Sequence, residues 1–168
     1  FATKRFRVVG SLNMGLCRGG SILLGASAAC GQWNYPLLIA FLCVSSYTAS
    51  VSFIAARETE RNKLCVSRWM PFSALLICFT VLFCEKASFV SGGAAAAVLV
   101  LTCVWAVKLK SSPDVAVVKS GVTVYLRGLL LIQTVFCGLM PGAGTWAAII
   151  LLLLIPISTL LEKKFYAT

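Results

Sequence analysis

Residues 36–56 read PLLIAFLCVSSYTASVSFIAA, a run without one charged side chain. A membrane-spanning helix needs about 20 mostly apolar residues, because a rise of about 1.5 Å per residue must cross roughly 30 Å of hydrocarbon. This run meets that requirement, and a strongly charged loop follows it directly. The stretch therefore predicts a transmembrane helix that ends at a membrane surface.

Similar apolar runs lie on both sides of it, separated by glycine, proline and charged residues. The predicted spans cover residues 8–29, 36–56, 69–84, 89–107, 113–137 and 145–161. No internal repeat and no long linker divides them. We therefore expect residues 1–168 to form a single transmembrane domain, an all-α polytopic bundle of about six helices.

The composition agrees with a membrane protein. Hydrophobic residues make up 60% of the chain and charged residues 12%, whereas a soluble domain carries about a quarter charged residues. If six spans alternate in direction, twelve basic residues fall on one side of the membrane and only Lys86 on the other. Cytoplasmic loops collect Lys and Arg, so we expect a multi-pass protein of a bacterial inner membrane or an equivalent one, with both ends of this segment cytoplasmic.

Several classes of function are excluded by what the sequence lacks. The net charge of +10 is not arranged as basic and aromatic residues in alternation, so we expect no nucleic-acid binding. There is no histidine and no C-x-x-C pair among the eight cysteines, which argues against zinc and haem sites. The cysteines lie mostly in apolar runs and are expected to pack there as small apolar side chains.

Two arginines lie inside predicted spans, Arg18 and Arg127. A charge at that depth is costly and usually faces the bundle interior or a wet cavity. Arg18 either binds an anionic group or a carboxylate, or is satisfied by carbonyls and hydroxyls of neighbouring helices. Near it, Gly15 and Gly19 are small enough to let another helix approach closely, as are residues 92–97.

A charged loop follows the second span. It holds two of the five acidic residues of the chain, Glu58 and Glu60, among Arg57, Arg61 and Lys63. Carboxylates at a helix end can hold Mg²⁺, which grips pyrophosphate through bridging oxygens, and the basic side chains can contact phosphates directly. The alternative is a solvated loop whose charges pair with one another.

Hydroxyl side chains precede that loop at membrane depth, over residues 45–50. Tyr47 and Ser50 are near neighbours on a helical face, as are Ser46 and Ser50. These hydroxyls either line a polar pocket or bond to carbonyls of their own helix, which we favour for most of them. Lys119 is predicted two turns into the fifth span. It either reaches the same cytoplasmic mouth or extends to the membrane surface in the ordinary way.

Residues 13–25, NMGLCRGGSILLG, resemble the N-M-G-L-C-R-x-x-N-x-x-L-G helix of UbiA-like membrane prenyltransferases, particularly their EboC-type bacterial branch. Residues 47–63 resemble the next helix of that branch and its second acidic motif. Residues 113–135 look like a late helix of the family, and the ending KKFYAT is similar to its usual C-terminus. The resemblance covers essentially the whole chain in the expected order.

The resemblance implies an all-helical fold around a central cavity, in which a prenyl group moves from a polyprenyl pyrophosphate to an aromatic or other lipid acceptor with the help of Mg²⁺. Glu58 and Glu60 would then be the catalytic residues and metal ligands. The substrate-binding residues implied are Asn13, Arg18, Tyr47, Arg57, Arg61, Lys63 and Lys119. The family's first acidic motif is absent from residues 1–168, so the segment is expected to be the C-terminal part of the fold, with the missing N-terminal helices and membrane lipids as partners.

Two other functions remain open at the level of the sequence. Glu58 and Glu60 are closer together than the acids of the family's motif, which favours a non-catalytic UbiA-like subunit that binds lipid or has a structural role. Arg18 and Arg127 inside the membrane favour a small transporter. Internal repeats, which would support a transporter, are not evident.

Overall fold

The computed structural model describes residues 7–29, 35–56, 67–83, 89–109, 115–139 and 143–165. They form six helices, and a short 3₁₀ turn at Ser67–Trp69 precedes the third of them. The helices are α1 (Arg7–Ala29), α2 (Tyr35–Ala56), α3 (Met70–Phe83), α4 (Phe89–Lys108), α5 (Val115–Gly138) and α6 (Ala143–Phe165). No strand occurs in these ranges, so the all-α prediction is confirmed for the described residues.

Three stretches are long and apolar enough to cross a membrane: Tyr35–Ala56, Ser91–Lys108 and Val117–Gly138. Two shorter apolar helical stretches, Ser67–Val81 and Gly144–Ile157, accompany them. Helix α1 is long enough but more polar than these, because it carries Asn13 and Arg18 near its middle. The described part of the chain is therefore a helical bundle with the character of a membrane protein.

Helices α2, α3, α4 and α5 form a closed ring, since each contacts the next and α5 returns to α2. Helix α1 packs against α2, and α6 packs against α5. The two helices with the most packing partners, α2 and α5, supply much of the buried core. That core includes Cys43, Tyr47, Ile54, Leu75, Phe79, Val98, Tyr125, Ile132 and Val135.

Helices α4 and α5 run antiparallel, and so do α1 and α2, as their close contacts show. Gly121, near the start of α5, lies against Trp105, near the end of α4, whereas Gly138, at the end of α5, lies against Ser91. One end of the bundle therefore gathers the end of α4 with the starts of α3 and α5. We call it the basic end, since Arg68, Lys108 and Lys119 lie there. The sequence analysis places these three basic residues on one side of the membrane, and they lie at one end of the bundle.

The closest helix contact lies between α1 and α2. A Cβ atom added to Gly15 would overlap the carbonyl oxygen of Ser45, and one added to Gly19 would overlap the Ser45 hydroxyl and the Phe41 ring. The predicted role of these two glycines in close packing is therefore confirmed. The prediction for residues 92–97 holds only in part: Ala94 and Ala95 are buried, but a Cβ on Gly92 or Gly93 would meet open space.

Cysteines behave as apolar packing residues in this bundle. The described ones (Cys17, Cys43, Cys78, Cys103 and Cys137) are all free thiols. Cys43 is fully buried in the core, and Cys78 packs against it. No disulfide therefore contributes to the stability of the described helices.

Candidate functional site

A groove of about 350 Å³ opens between α1, α2 and the start of α3. It lies toward the basic end, because its walls come from the first turns of α1, the last three turns of α2 and the first residue of α3. Its lining is mostly apolar: Val8, Ser11, Leu12, Ser46, Ala49, Ser50, Phe53 and Met70. Volumes of this size are typical of sites for small ligands, and an apolar wall suits a hydrocarbon chain.

Hydroxyl groups in the groove are largely committed to the helix backbone. Ser46 donates to the carbonyl oxygens of Leu42 at 2.7 Å and Cys43 at 3.1 Å, and Ser50 donates to the carbonyl of Ser46 at 2.7 Å. These bonds use the hydroxyl protons within α2, as the sequence analysis favoured. The wall therefore offers a guest few free donors, and a hydrocarbon chain needs none.

The charged loop of the sequence analysis connects α2 to α3 in the chain. Helix α2 ends at Ala56, one turn after the groove residue Phe53, and the described chain resumes at Ser67, three residues before the groove residue Met70. Arg57, Glu58, Glu60, Arg61 and Lys63 all belong to residues 57–66, which lie outside the described residues. Their proposed contacts with metal and phosphate stay predictions.

Tyr47 has a structural role in this fold. Its side chain is fully buried, and its hydroxyl donates a 2.8 Å hydrogen bond to the main-chain carbonyl of Tyr125 on α5. Gly128 makes room for the hydroxyl, since a Cβ at that position would lie 2.6 Å from the Tyr47 oxygen. The structure thus places Tyr47 in the contact between α2 and α5 and not in the wall of the groove.

The remaining described residues of the predicted site are not brought together. Asn13 and Arg18 are exposed on α1, and Lys119 is exposed on the second turn of α5. None of them lines the groove. Arg127, the other arginine inside a predicted span, is half-buried on α5. The predicted substrate-binding set therefore does not form one site from the described helices alone.

Arg18 stands at the centre of α1, eleven residues from each end of the helix. In a bilayer an arginine at such a depth costs roughly 2.5–3.5 kcal/mol or more. Arginines near helix ends avoid this cost by extending their side chains to the membrane surface, but Arg18 is too far from either end to do so. The expectation that Arg18 faces the bundle interior is not met by the described helices, against which its side chain is exposed.

The basic end combines cations with indole rings. The guanidinium carbon of Arg68 lies 6.0 Å from the ring centre of Trp69, and the ammonium of Lys108 lies 5.1 Å from that of Trp105. A guanidinium nitrogen of Arg68 also donates a 2.9 Å hydrogen bond to the carbonyl of Leu109, just past the end of α4. Tryptophans and cations together are typical of helix ends at a membrane–water interface.

A metal centre is not formed by the described residues, among which no three or more His, Cys, Asp or Glu side chains cluster. A Mg²⁺ site would rest on Glu58 and Glu60, which lie in the sequence between the groove residues Phe53 and Met70. With two carboxylates it would be completed by water and by substrate phosphates, which is how Mg²⁺ is usually held.

Comparison with known proteins gave no relative: no protein-family model, no curated protein and no solved structure matches the chain.

Sequence reasoning missed the apolar walls of the groove. Val8, Leu12, Phe53 and Met70 line it, yet an apolar residue in a membrane span carries no mark that separates a ligand wall from a lipid-facing surface. A useful signal was present in Gly15 and Gly19. Their fit against Ser45 fixes which face of α1 meets α2, and the groove opens one to two turns from that contact.

Proposed function

We propose that the chain is the C-terminal part of a UbiA-like membrane prenyltransferase, in which six helices span the membrane and both ends of the segment are cytoplasmic. The observation that carries the proposal is the position of the apolar groove. The groove is lined by the last turns of α2 and the first residue of α3, and Glu58 and Glu60 lie between these two helices in the sequence. The resemblance of residues 13–25 and 47–63 to that family adds the reaction class.

In this proposal the two parts of a prenyl donor are bound by different chemistry. The hydrocarbon chain lies in the groove, where burial of apolar surface stabilises it at about 25 cal/mol per Å². The pyrophosphate lies above the mouth of the groove, with Mg²⁺ on Glu58 and Glu60 and with Arg57, Arg61 and Lys63 on its oxygens. An apolar acceptor reaches the same mouth from the bilayer.

The test is an assay of the complete protein in proteoliposomes for Mg²⁺-dependent release of pyrophosphate from polyprenyl pyrophosphates of several lengths. We expect release that is lost when Mg²⁺ is removed and greatly reduced in Glu58→Gln and Glu60→Gln. Glu162→Gln, a carboxylate in the last turns of α6, is the matched control and should retain release. Absence of release with every donor would contradict the enzymatic proposal.

A second candidate is a non-catalytic membrane subunit that holds a lipid in the same groove. It is favoured by the hydroxyls of Ser46 and Ser50, which are bonded to α2 and leave the groove with few free donors. In that case the groove would still bind an isoprenoid or acyl chain. Glu58→Gln and Glu60→Gln would then leave both lipid binding and cellular function unchanged. No observation in the described helices favours the transporter hypothesis.

A further inference from the structure

The exposed surfaces of the outer helices differ in chemistry. On α6, every exposed side chain described is apolar, including Trp146, Ile150 and Leu153. On α1, exposed apolar side chains are mixed with Asn13 and Arg18. An apolar face is stable against lipid, whereas a face with an arginine at its centre is not.

One stripe on α1 carries this arginine. Met14, Arg18, Ser21 and Gly25 are spaced by four, three and four residues, so they lie along one side of the helix, and all four are exposed. We call these four residues the Arg18 face. At roughly 100° per residue, it lies about a third of a turn from the side that packs on α2 through Gly15 and Gly19.

The Arg18 face has the features of a helix-packing surface. The four–three–four spacing is that of a seam between two helices. Ser21 and Gly25 are small, and a Cβ on Gly25 would meet nothing within 4 Å, so another backbone has room to approach. The Ser21 hydroxyl bonds back to the Arg18 carbonyl at 2.7 Å, which leaves the guanidinium as the polar group that the face presents outward.

We infer that the Arg18 face docks against a membrane-spanning helix from outside residues 1–168 that carries an Asp or Glu at mid-membrane depth, and that this carboxylate pairs with Arg18. A carboxylate is the partner that satisfies a guanidinium with two parallel hydrogen bonds. A second copy of the segment does not supply it, because no acidic residue of residues 1–168 lies near the middle of a predicted span: Asp114 is the second residue of the fifth span, and the other four lie outside the spans. This inference rests on the proposed six-span topology, in which α1 crosses the membrane, and not on any catalytic activity.

Photocrosslinking in native membranes tests the inference. A photoreactive amino acid replaces Met14 or Ser21 on the Arg18 face of the complete protein, and Ile150 or Leu153 on α6 as the matched control. We expect protein crosslinks from the two α1 positions and only lipid adducts from α6. Mass spectrometry of the crosslinked peptide should identify a membrane-spanning segment that contains Asp or Glu.

A second measurement isolates the ion pair. Neutralising the identified carboxylate (Asp→Asn or Glu→Gln) should reduce the crosslink yield as strongly as Arg18→Gln does. The double variant should lose no more yield than either single variant. Arg18→Lys should retain most of the yield. Lipid adducts alone from Met14 and Ser21, crosslinks to residues 1–168 of a second copy, or a partner helix without a carboxylate would each overturn the inference. The crosslink yields are measured in membranes that hold the complete protein. They do not depend on pyrophosphate release, so failure of the enzymatic proposal would leave this test intact.

Discussion

The guanidinium of Arg68 donates a hydrogen bond of 2.9 Å to the carbonyl oxygen of Leu109, 41 residues further along the chain. The amide of Leu109 continues α4 by bonding to the carbonyl of Trp105 at 2.9 Å, but its own carbonyl lies beyond the end of the helix. Such carbonyls lack a partner within the helix and carry its negative pole. Arg68 therefore fastens the start of α3 to the end of α4 at the basic end.

Loss of this bond should destabilise the bundle. We expect Arg68→Gln to lower the free energy of unfolding by roughly 1.5–3 kcal/mol, because a buried carbonyl loses a charged donor. Lys108→Gln removes an exposed cation from the same end and should change the stability by much less. Titration with SDS in bicelles measures both. Equal effects of the two variants would show that net charge and not the Arg68 bond matters.

The packing of α1 on α2 makes a prediction about two adjacent glycines. Gly19→Ala should destabilise the protein by about 1–3 kcal/mol, since its methyl group would overlap the Ser45 hydroxyl and the Phe41 ring. Gly20→Ala meets open space and should be neutral or slightly stabilising, because alanine favours helix. Thermal unfolding in detergent compares the pair. A similar loss in both would contradict the close contact.

Tyr47 and Gly128 should be energetically coupled. Tyr47→Phe removes the bond to the Tyr125 carbonyl and should cost roughly 1 kcal/mol. Gly128→Ala should cost more, because its Cβ would lie 2.6 Å from the Tyr47 hydroxyl. In the double variant that oxygen is gone, so the combined loss should be smaller than the sum of the two. Strictly additive losses would rule out the contact, and Tyr35→Phe, at an exposed position, is the control.

Filling the groove should exclude its guest. Leu12→Trp places an indole at the wall of the groove, whereas Leu24→Trp puts the same side chain on an exposed part of α1. We expect labelling by a photoreactive polyprenyl analogue to fall about tenfold in Leu12→Trp, which corresponds to about 1.4 kcal/mol of binding free energy. Leu24→Trp should label like the unmodified protein. Undiminished labelling of Leu12→Trp would place the chain elsewhere.

Positions of the helices were predictable from the sequence because each requires only a long apolar run with breaks at both ends. Close approach of another helix at Gly15 and Gly19 was also predictable, but the identity of that helix as α2 was not. The contacts between side chains of helices that are distant in the sequence were not predictable. The sequence predicted Tyr47 in a cavity wall. Its bond to the carbonyl of Tyr125 depends on how α2 and α5 pack, and the position of a tyrosine along a helix does not determine that packing.

The candidate site was predictable only in its charged part. Glu58 and Glu60 stand out because acidic residues are rare in this chain, whereas Leu12, Phe53 and Met70 are apolar residues among many. Their common groove results from the crossing of α1 and α2 near the start of α3. Sequence periodicity places a residue on a face, but it does not tell whether lipid or a ligand covers that face.

The hydrogen bond from Tyr47 to Tyr125 joins residues 78 positions apart, and this distance has a consequence for biosynthesis. At about 5–20 residues per second, a ribosome needs roughly 4–16 s to proceed from one to the other. Throughout that interval α5 has not been synthesised, so the Tyr125 carbonyl is not there to accept the hydrogen bond of the Tyr47 hydroxyl. The contact between α2 and α5 is therefore completed late in synthesis, after α2 has already formed.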